Sequence, residues 1–313
     1  MKRLLVACCA ITLTSHRLVA QNLARADSLL AEGGLFAAES LYYEAARENP
    51  HDPDTRWALG RYLASRGALR VGAVLLEEAR KFGGDPATIG RELAPLYQEL
   101  GDYVSLATMP ASPLSGGERQ QATWLVTHSP ALAAPDSLTS VSYRPSRNPE
   151  MLGHVTIRVG GQSLTAAILP RRRGIVIGRG TRAAAHVMKF AARPDGSVPA
   201  SADGVSIGSL TLINAPLTVG STGADADAVI GIDVLQRFGA TLDPKAARIT
   251  LRASGTVPAT TPGERIPTIA DASDLRLLEG QRFMPVTRPE VAAVLRTHRW
   301  TLDAKRGTLL VEP

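Results

Sequence analysis

Two rhythms divide the chain. Up to about residue 108, apolar and small residues return every three or four positions, as on the buried stripe of an amphipathic helix. Ala38, Tyr42 and Ala45, then Gly72, Leu76 and Ala79, then Leu93 and Tyr97 mark that stripe. From residue 151 the period falls to two: Val155, Ile157 and Val159 alternate with Thr156 and Arg158, the pattern of a strand with one buried face. Gly160-Gly161 then supplies a hairpin turn, and Leu164–Leu169, Gly174–Gly178, Val205–Ile213 and Leu217–Val219 read as further strands, with a short helix over Thr181–Ala192. Many short strands joined at glycines predict a small barrel or sandwich. The expected fold class is therefore multidomain, α plus β, with helices first.

Three further segments complete this division. Residues 109–150 are rich in Pro, Ser and Thr and read as a linker with one helical stretch over Glu118–Val126. Within it Leu114-Ser115-Gly116-Gly117-Glu118-Arg119-Gln120 imitates the signature loop of ABC-type ATPases. The chain has no Gly-rich loop ending in Gly-Lys-Ser/Thr to cradle phosphates, so Ser115 and Glu118 are read instead as a helix capping box. Residues 256–313 open on a Pro/Thr stretch and carry a helix over Pro289–Thr297. Thr301-Leu302-Asp303-Ala304-Lys305 there echoes Thr241-Leu242-Asp243-Pro244-Lys245, and an apolar strand follows each, Thr308–Val311 and Ile249–Leu251. These predict two similar hairpins in a small α+β appendage, packed on the barrel or pairing between subunits; the alternative is a duplicated lobe.

Gly33, Gly67 and Gly101 recur every 34 residues, the period of helix-turn-helix repeats in which a residue without Cβ turns a tight corner. With Pro50 closing the first copy and Leu59-Gly60 leading into the second, residues 22–108 resemble the tetratricopeptide repeat family as two full repeats and a fragment. Nearly all of the small and aromatic stripe residues serve as helical core on this reading. The resemblance implies protein or peptide binding through the repeats, or a spacer role.

The first twenty residues have the layout of a secretory signal, with Lys2 and Arg3, an apolar stretch Leu4–Leu13, and a small-residue site at Leu18-Val19-Ala20. Export to the periplasm or the exterior is expected. Leu5-Val6-Ala7-Cys8 is a lipoprotein-type box behind too short an apolar run, which ranks anchoring at Cys8 second. Cys8 and Cys9 are the only cysteines, so a chain cut near Ala20 has neither disulfides nor thiol chemistry. The same cut removes Lys2, Arg3 and Arg17 and lowers the net charge from +6 to +3, which gives no argument for nucleic acid. No later apolar run approaches the roughly 18 residues of a membrane span.

Ala228-Val229-Ile230-Gly231-Ile232-Asp233-Val234-Leu235, followed by Gly239-Ala240-Thr241-Leu242-Asp243, resembles the closing segment of the retropepsin-like aspartic proteases. Residues 204–219, with Asn214 and Pro216, resemble that family's middle strands, and the likeness spans about residues 150–252. It implies an acid-protease β-barrel whose catalytic Asp-Thr/Ser-Gly follows the second strand. In this chain Ala166-Ala167-Ile168-Leu169 runs into Pro170-Arg171-Arg172-Arg173-Gly174, so Pro170 stands where the aspartate is expected. No shift of register restores the motif, because residues 151–194 contain neither Asp nor Glu. Aspartic proteolysis needs two carboxylates sharing a proton around one water.

The expectation is a non-catalytic binding or scaffold protein with no cofactor. The alternative is an aspartic-type endopeptidase whose acids come from elsewhere or from a partner chain. Arg171, Arg172 and Arg173 are candidate contacts for an anionic or peptide ligand, weighed against a solvated arginine loop, which is the favoured reading. Asp225 and Asp227 sit on a turn, while Asp233 matches the family's helix-starting position, where it caps backbone amides. The six histidines are scattered without ligand spacing, so no metal is expected. A homodimer through the β domain follows from the family resemblance.

Overall fold

The computed structural model describes residues 20–148, 150–258, 261–270, 275–303 and 306–312. The signal reading at residues 1–19, with Cys8 and Cys9, and Ala304 and Lys305 of the last hairpin lie outside them. Helix α1 (residues 20–31) is followed by α2 (Leu35–Glu48), α3 (Pro53–Ser65), α4 (Leu69–Lys81), α5 (Pro86–Leu100), α6 (Tyr103–Thr108) and α7 (Gly116–Thr127). The helices pair as hairpins. Gly33, Gly67 and Gly101 occupy the corners α1–α2, α3–α4 and α5–α6 with φ of 84°, 88° and 71°, a backbone region that β-carbons disfavour. Asp52-Pro53 and Asp85-Pro86 start α3 and α5: each Asp accepts an amide hydrogen bond, from Thr55 (3.0 Å) and Thr88 (2.8 Å), and each Pro fills the first helical position.

The strands are β1 (Ala131–Ala133), β2 (Leu138–Pro145), β3 (Gly153–Val159), β4 (Gln162–Leu169), β5 (Ile175–Gly178), β6 (Met188–Lys189), β7 (Val198–Ile207), β8 (Leu210–Gly220) and β9 (Ala228–Gly231). Helix α8 (Ile232–Gln236), β10 (Thr241–Asp243) and β11 (Arg248–Arg252) complete the first lobe. Strands β3-β4-β9-β5-β8-β7 form a closed barrel, shut by the pairing of Val159 with Val205. Alternate residues of β3 point inward, with Ile157 and Val159 fully buried, as period two requires.

The sheet then runs out of the barrel through β2, β11 and β10 into the C-terminal strands β12 (Glu264–Ala270), β13 (Leu275–Glu279), β14 (Arg282–Pro285), β15 (Arg299–Asp303) and β16 (Thr308–Glu312), with α9 (Pro289–Thr297) between β14 and β15. One apolar core is continuous from Ile157 and Ile230 of the barrel to Leu277, Leu295 and Trp300. Each fully buried aliphatic side chain in it stabilises the fold by roughly 2 kcal/mol. The C-terminal segment thus shares one sheet and one core with the barrel.

Three expectations change. Residues 109–150, expected to be a linker with one helical stretch, carry that helix as α7 and add β1 paired with β8 and β2 paired with both β3 and β11. Their alternation is masked in the sequence because β2 is exposed at every second position and its Ser and Thr look like loop composition. The single strand expected over 205–213 is a hairpin, turned at Gly208 (φ 61°), which fits against Thr139 of β2. The helix expected over 181–192 is one 3-10 turn, Arg182–Ala185, capped by Thr181, after which Met188 and Lys189 pair with β7. Strand pairing overrides local helix propensity there.

Candidate functional site

Strand β9 threads between two strands joined by one loop. It runs parallel to β4, with Leu169 opposite Gly231, and antiparallel to β5, with Ile175 opposite Ile230. The connecting loop, residues 170–174, must therefore cross the end of β9. Gly231 makes the crossing possible, since a β-carbon there would collide with the Arg172 carbonyl and the Asp233 carboxylate. The loop is fastened on both sides: the Gly231 amide donates to the Gly174 carbonyl (2.8 Å), and the Gly174 amide donates to both oxygens of Asp233 (2.9 and 3.0 Å).

This defines the role of Asp233. It lies in the first turn of α8 but makes no cap hydrogen bond to that helix. Its carboxylate holds the facing loop, a contact across 59 residues in place of the local cap expected from sequence. Pro170 offers no proton-transfer group, and Arg171 to Arg173 diverge. Arg171 pairs on the surface with Glu150 (3.3 Å), Arg172 lies beside Gly223, and Arg173 reaches Glu99 of α5 (3.1 Å). Asp227 accepts from the Thr165 amide (3.0 Å), where β4 meets the turn before β9, and Asp225 lies near His154. The loop therefore does not gather Asp225, Asp227 and Asp233 into one cluster.

Glu99 is the residue that sequence reasoning missed. Read alone it is one more polar position of a helix, and its partner Arg173 stands 74 residues away. Its side chain is only 15% exposed. Burial raises its carboxyl above the usual range and Asp233 adds to this, while Arg173 and Arg237 oppose it.

Arg173, Asp233 and Arg237 of the β domain, with Glu99 of α5 against Arg173, line one side of a cleft of about 1060 Å³ between the helical array and the β domain. On the opposite wall Arg61 stands 4.5 Å above the Trp57 ring, and Tyr42 stacks on Tyr62 at 5.1 Å. The Tyr42 hydroxyl donates to Asp27, and the Tyr62 hydroxyl to Glu39 (3.1 Å). Burial and Glu39 push the Tyr62 phenol up to about 12, so it stays a donor at neutral pH. The cleft combines aromatic faces, guanidinium groups and carboxylates, a lining suited to an extended peptide with both apolar and polar groups.

Among the described residues no group of three or more His, Cys, Asp or Glu could hold a metal ion. No helix among them is long and apolar enough to cross a membrane. Compared with known proteins, the chain matches no family model and no curated protein. Among solved structures it is similar to a retropepsin-like aspartic protease from Rickettsia conorii, at 17% identity and a TM-score of 0.27, over 39% of this chain and 93% of that one. It is also similar to Basic 7S globulin from soybean, at 12% identity and a TM-score of 0.25, over 48% of this chain and 56% of the globulin.

Proposed function

We propose that the chain is an exported, non-catalytic binding or scaffold protein, in which a retropepsin-like β-barrel and tetratricopeptide-like repeats hold a peptide or protein segment between them. The observation that carries this reading is the state of the crossing loop. It contains Pro170 and three arginines and no carboxylate, and the neighbouring Asp233 is engaged by the Gly174 amide. Aspartic hydrolysis needs one carboxylate free to accept a proton from water and a second to donate one. The cleft beside the loop supports the binding half of the proposal, and the layout of residues 1–20 supports export.

A second reading, an aspartic-type endopeptidase with a substitute acid, rests on Glu99. Burial raises this carboxyl and the nearby Asp233 adds to the shift, as a general acid requires. Against it stand the Arg173 ion pair on Glu99 and the amide contacts of Asp233.

Titration of fluorescent extended peptides into the purified chain tests the first reading. Saturable binding that quenches Trp57 and weakens at least tenfold in Arg237→Ala is expected. Binding unchanged by Arg237→Ala and by Trp57→Phe would place the ligand elsewhere and remove the proposal.

A further inference from the structure

The C-terminal strands repeat the first lobe in order and in pairing. In the first lobe β2 leads to the hairpin β3–β4, and α8 leads to the hairpin β10–β11, with β2 paired to β11. In the C-terminal segment β12 leads to the hairpin β13–β14, and α9 leads to the hairpin β15–β16, with β12 paired to β16. Both first hairpins turn through left-handed glycine, Gly160-Gly161 and Gly280. Only the middle is missing: residues 286–288 join β14 to α9, where residues 170–231 join β4 to α8.

The two lobes meet across one strand pair, giving the sheet order β2-β11-β10-β15-β16-β12, which reads the same from either end under this correspondence. Its centre is symmetric residue by residue. Thr241 and Thr301, equivalent in the Thr-Leu-Asp repeat, face each other in the antiparallel register, and their hydroxyls lie 2.8 Å apart in the buried core. Leu242 stands opposite Trp300, and the equivalent exchange places the Leu302 amide on the Ala240 carbonyl at 3.0 Å. A local two-fold axis therefore passes through the Thr241–Thr301 pair. Two identical chains joined edge to edge by β10 would have the same arrangement, with Thr241 opposite its own copy.

We propose that residues 264–312 are a shortened internal copy of the β lobe, which occupies in cis the strand edge through which two copies of the chain would otherwise pair. The chain is then a monomer at this edge. A second copy has no free β10 edge on which to bring its own crossing loop into register, and the internal copy has lost the segment that contains such a loop. This goes beyond the binding proposal and does not depend on whether the cleft takes a peptide.

The test uses the full chain with Cys8→Ser and Cys9→Ser, so that introduced thiols stand alone. Thr241 and Thr301 form a non-hydrogen-bonded pair, whose Cα separation of about 4.5 Å suits a disulfide. Mild oxidation of the T241C/T301C double variant is expected to give a monomer by light scattering in which both thiols are consumed within one chain. Each single variant is expected to keep its thiol and stay monomeric. Disulfide-linked dimers of the T241C single variant, or chains linked to one another in the double variant, would overturn the proposal. Hydrogen exchange on the unaltered chain gives a second reading that needs no substitution. Protection of the β10 and β15 amides is expected to be the same at low and high protein concentration, and loss of that protection on dilution would also overturn it.

Discussion

Two of the seams between the helical array and the β domain are of opposite character. At α7 the contact is close and mainly neutral. The Gln121 amide donates to the carbonyls of Ala200 and Leu217 (3.1 Å to Leu217), and Gly117 abuts the backbone of Ala191 with no room for a β-carbon. Glu118 closes the capping box with Ser115 and also pairs with Arg193 at 2.8 Å. Along α5 the contact is made by charged groups at the edge of a large cleft, with Glu99 on Arg173. One seam fixes the two parts together, and the other leaves space between them. Binding machinery is expected at the second, because its cleft of about 1060 Å³ far exceeds the cavity of about 200 Å³ beside Glu118, Gln121 and Arg193 at the first.

The strongest break of the fixed seam is Gly117→Val, whose side chain must displace the Ala191 backbone. A loss of about 3 kcal/mol is expected, seen as a large fall in melting temperature, since overpacking typically costs about 1–3 kcal/mol and a backbone contact this close lies at the upper end. Gln121→Ala removes both buried hydrogen bonds to the β7–β8 carbonyls and is expected to cost about 2 kcal/mol in urea denaturation. Both changes should leave peptide affinity in the folded fraction unaltered.

The two glutamates sharpen the contrast because their titrations run in opposite directions. Burial raises the Glu118 carboxyl, but the Ser115 hydrogen bonds and Arg193 outweigh it and hold the group below its ordinary range. Its stabilisation is therefore present above the unfolded pKa and lost as pH falls through the folded value. Glu118→Gln is expected to cost about 1 kcal/mol at pH 7 and progressively less as the solution is acidified. Glu99 has its folded pKa raised, chiefly by burial. Its favourable contribution belongs to low pH and disappears as pH rises through the folded value, so the parent should lose stability relative to Glu99→Gln on going from acid to neutral. That difference is expected to stay below about 1 kcal/mol at pH 7. Melting curves of both variants across the acid range check the two signs together. The smallest effect is expected at Arg171→Ser, within about 0.5 kcal/mol, because Arg171 and Glu150 are both about half exposed.

What the sequence made legible was local. Gly33, Gly67 and Gly101 turn the helical corners because left-handed backbone leaves its mark on residue choice. Ser115 and Glu118 form the predicted capping box because both partners lie within one turn. The Gly160-Gly161 hairpin and the alternation of β3 follow for the same reason. What stayed hidden depends on distant partners. Asp233 looked like a helix cap and instead holds a loop 59 residues away. Glu99 became part of the cleft only through the docking of α5. The echo of Thr241-Leu242-Asp243 at residues 301–303 was visible as a repeat, but its pairing across a local two-fold needed the strand order.

The proposed lack of a hydrolytic carboxylate pair is tested most directly by incubating the purified full chain with a complex peptide mixture from pH 3 to 7 and searching for new termini by mass spectrometry. The account predicts none above a chain-free control at any pH. New termini that vanish in folded Asp233→Asn or Glu99→Gln would contradict it and assign the acids to the cleft.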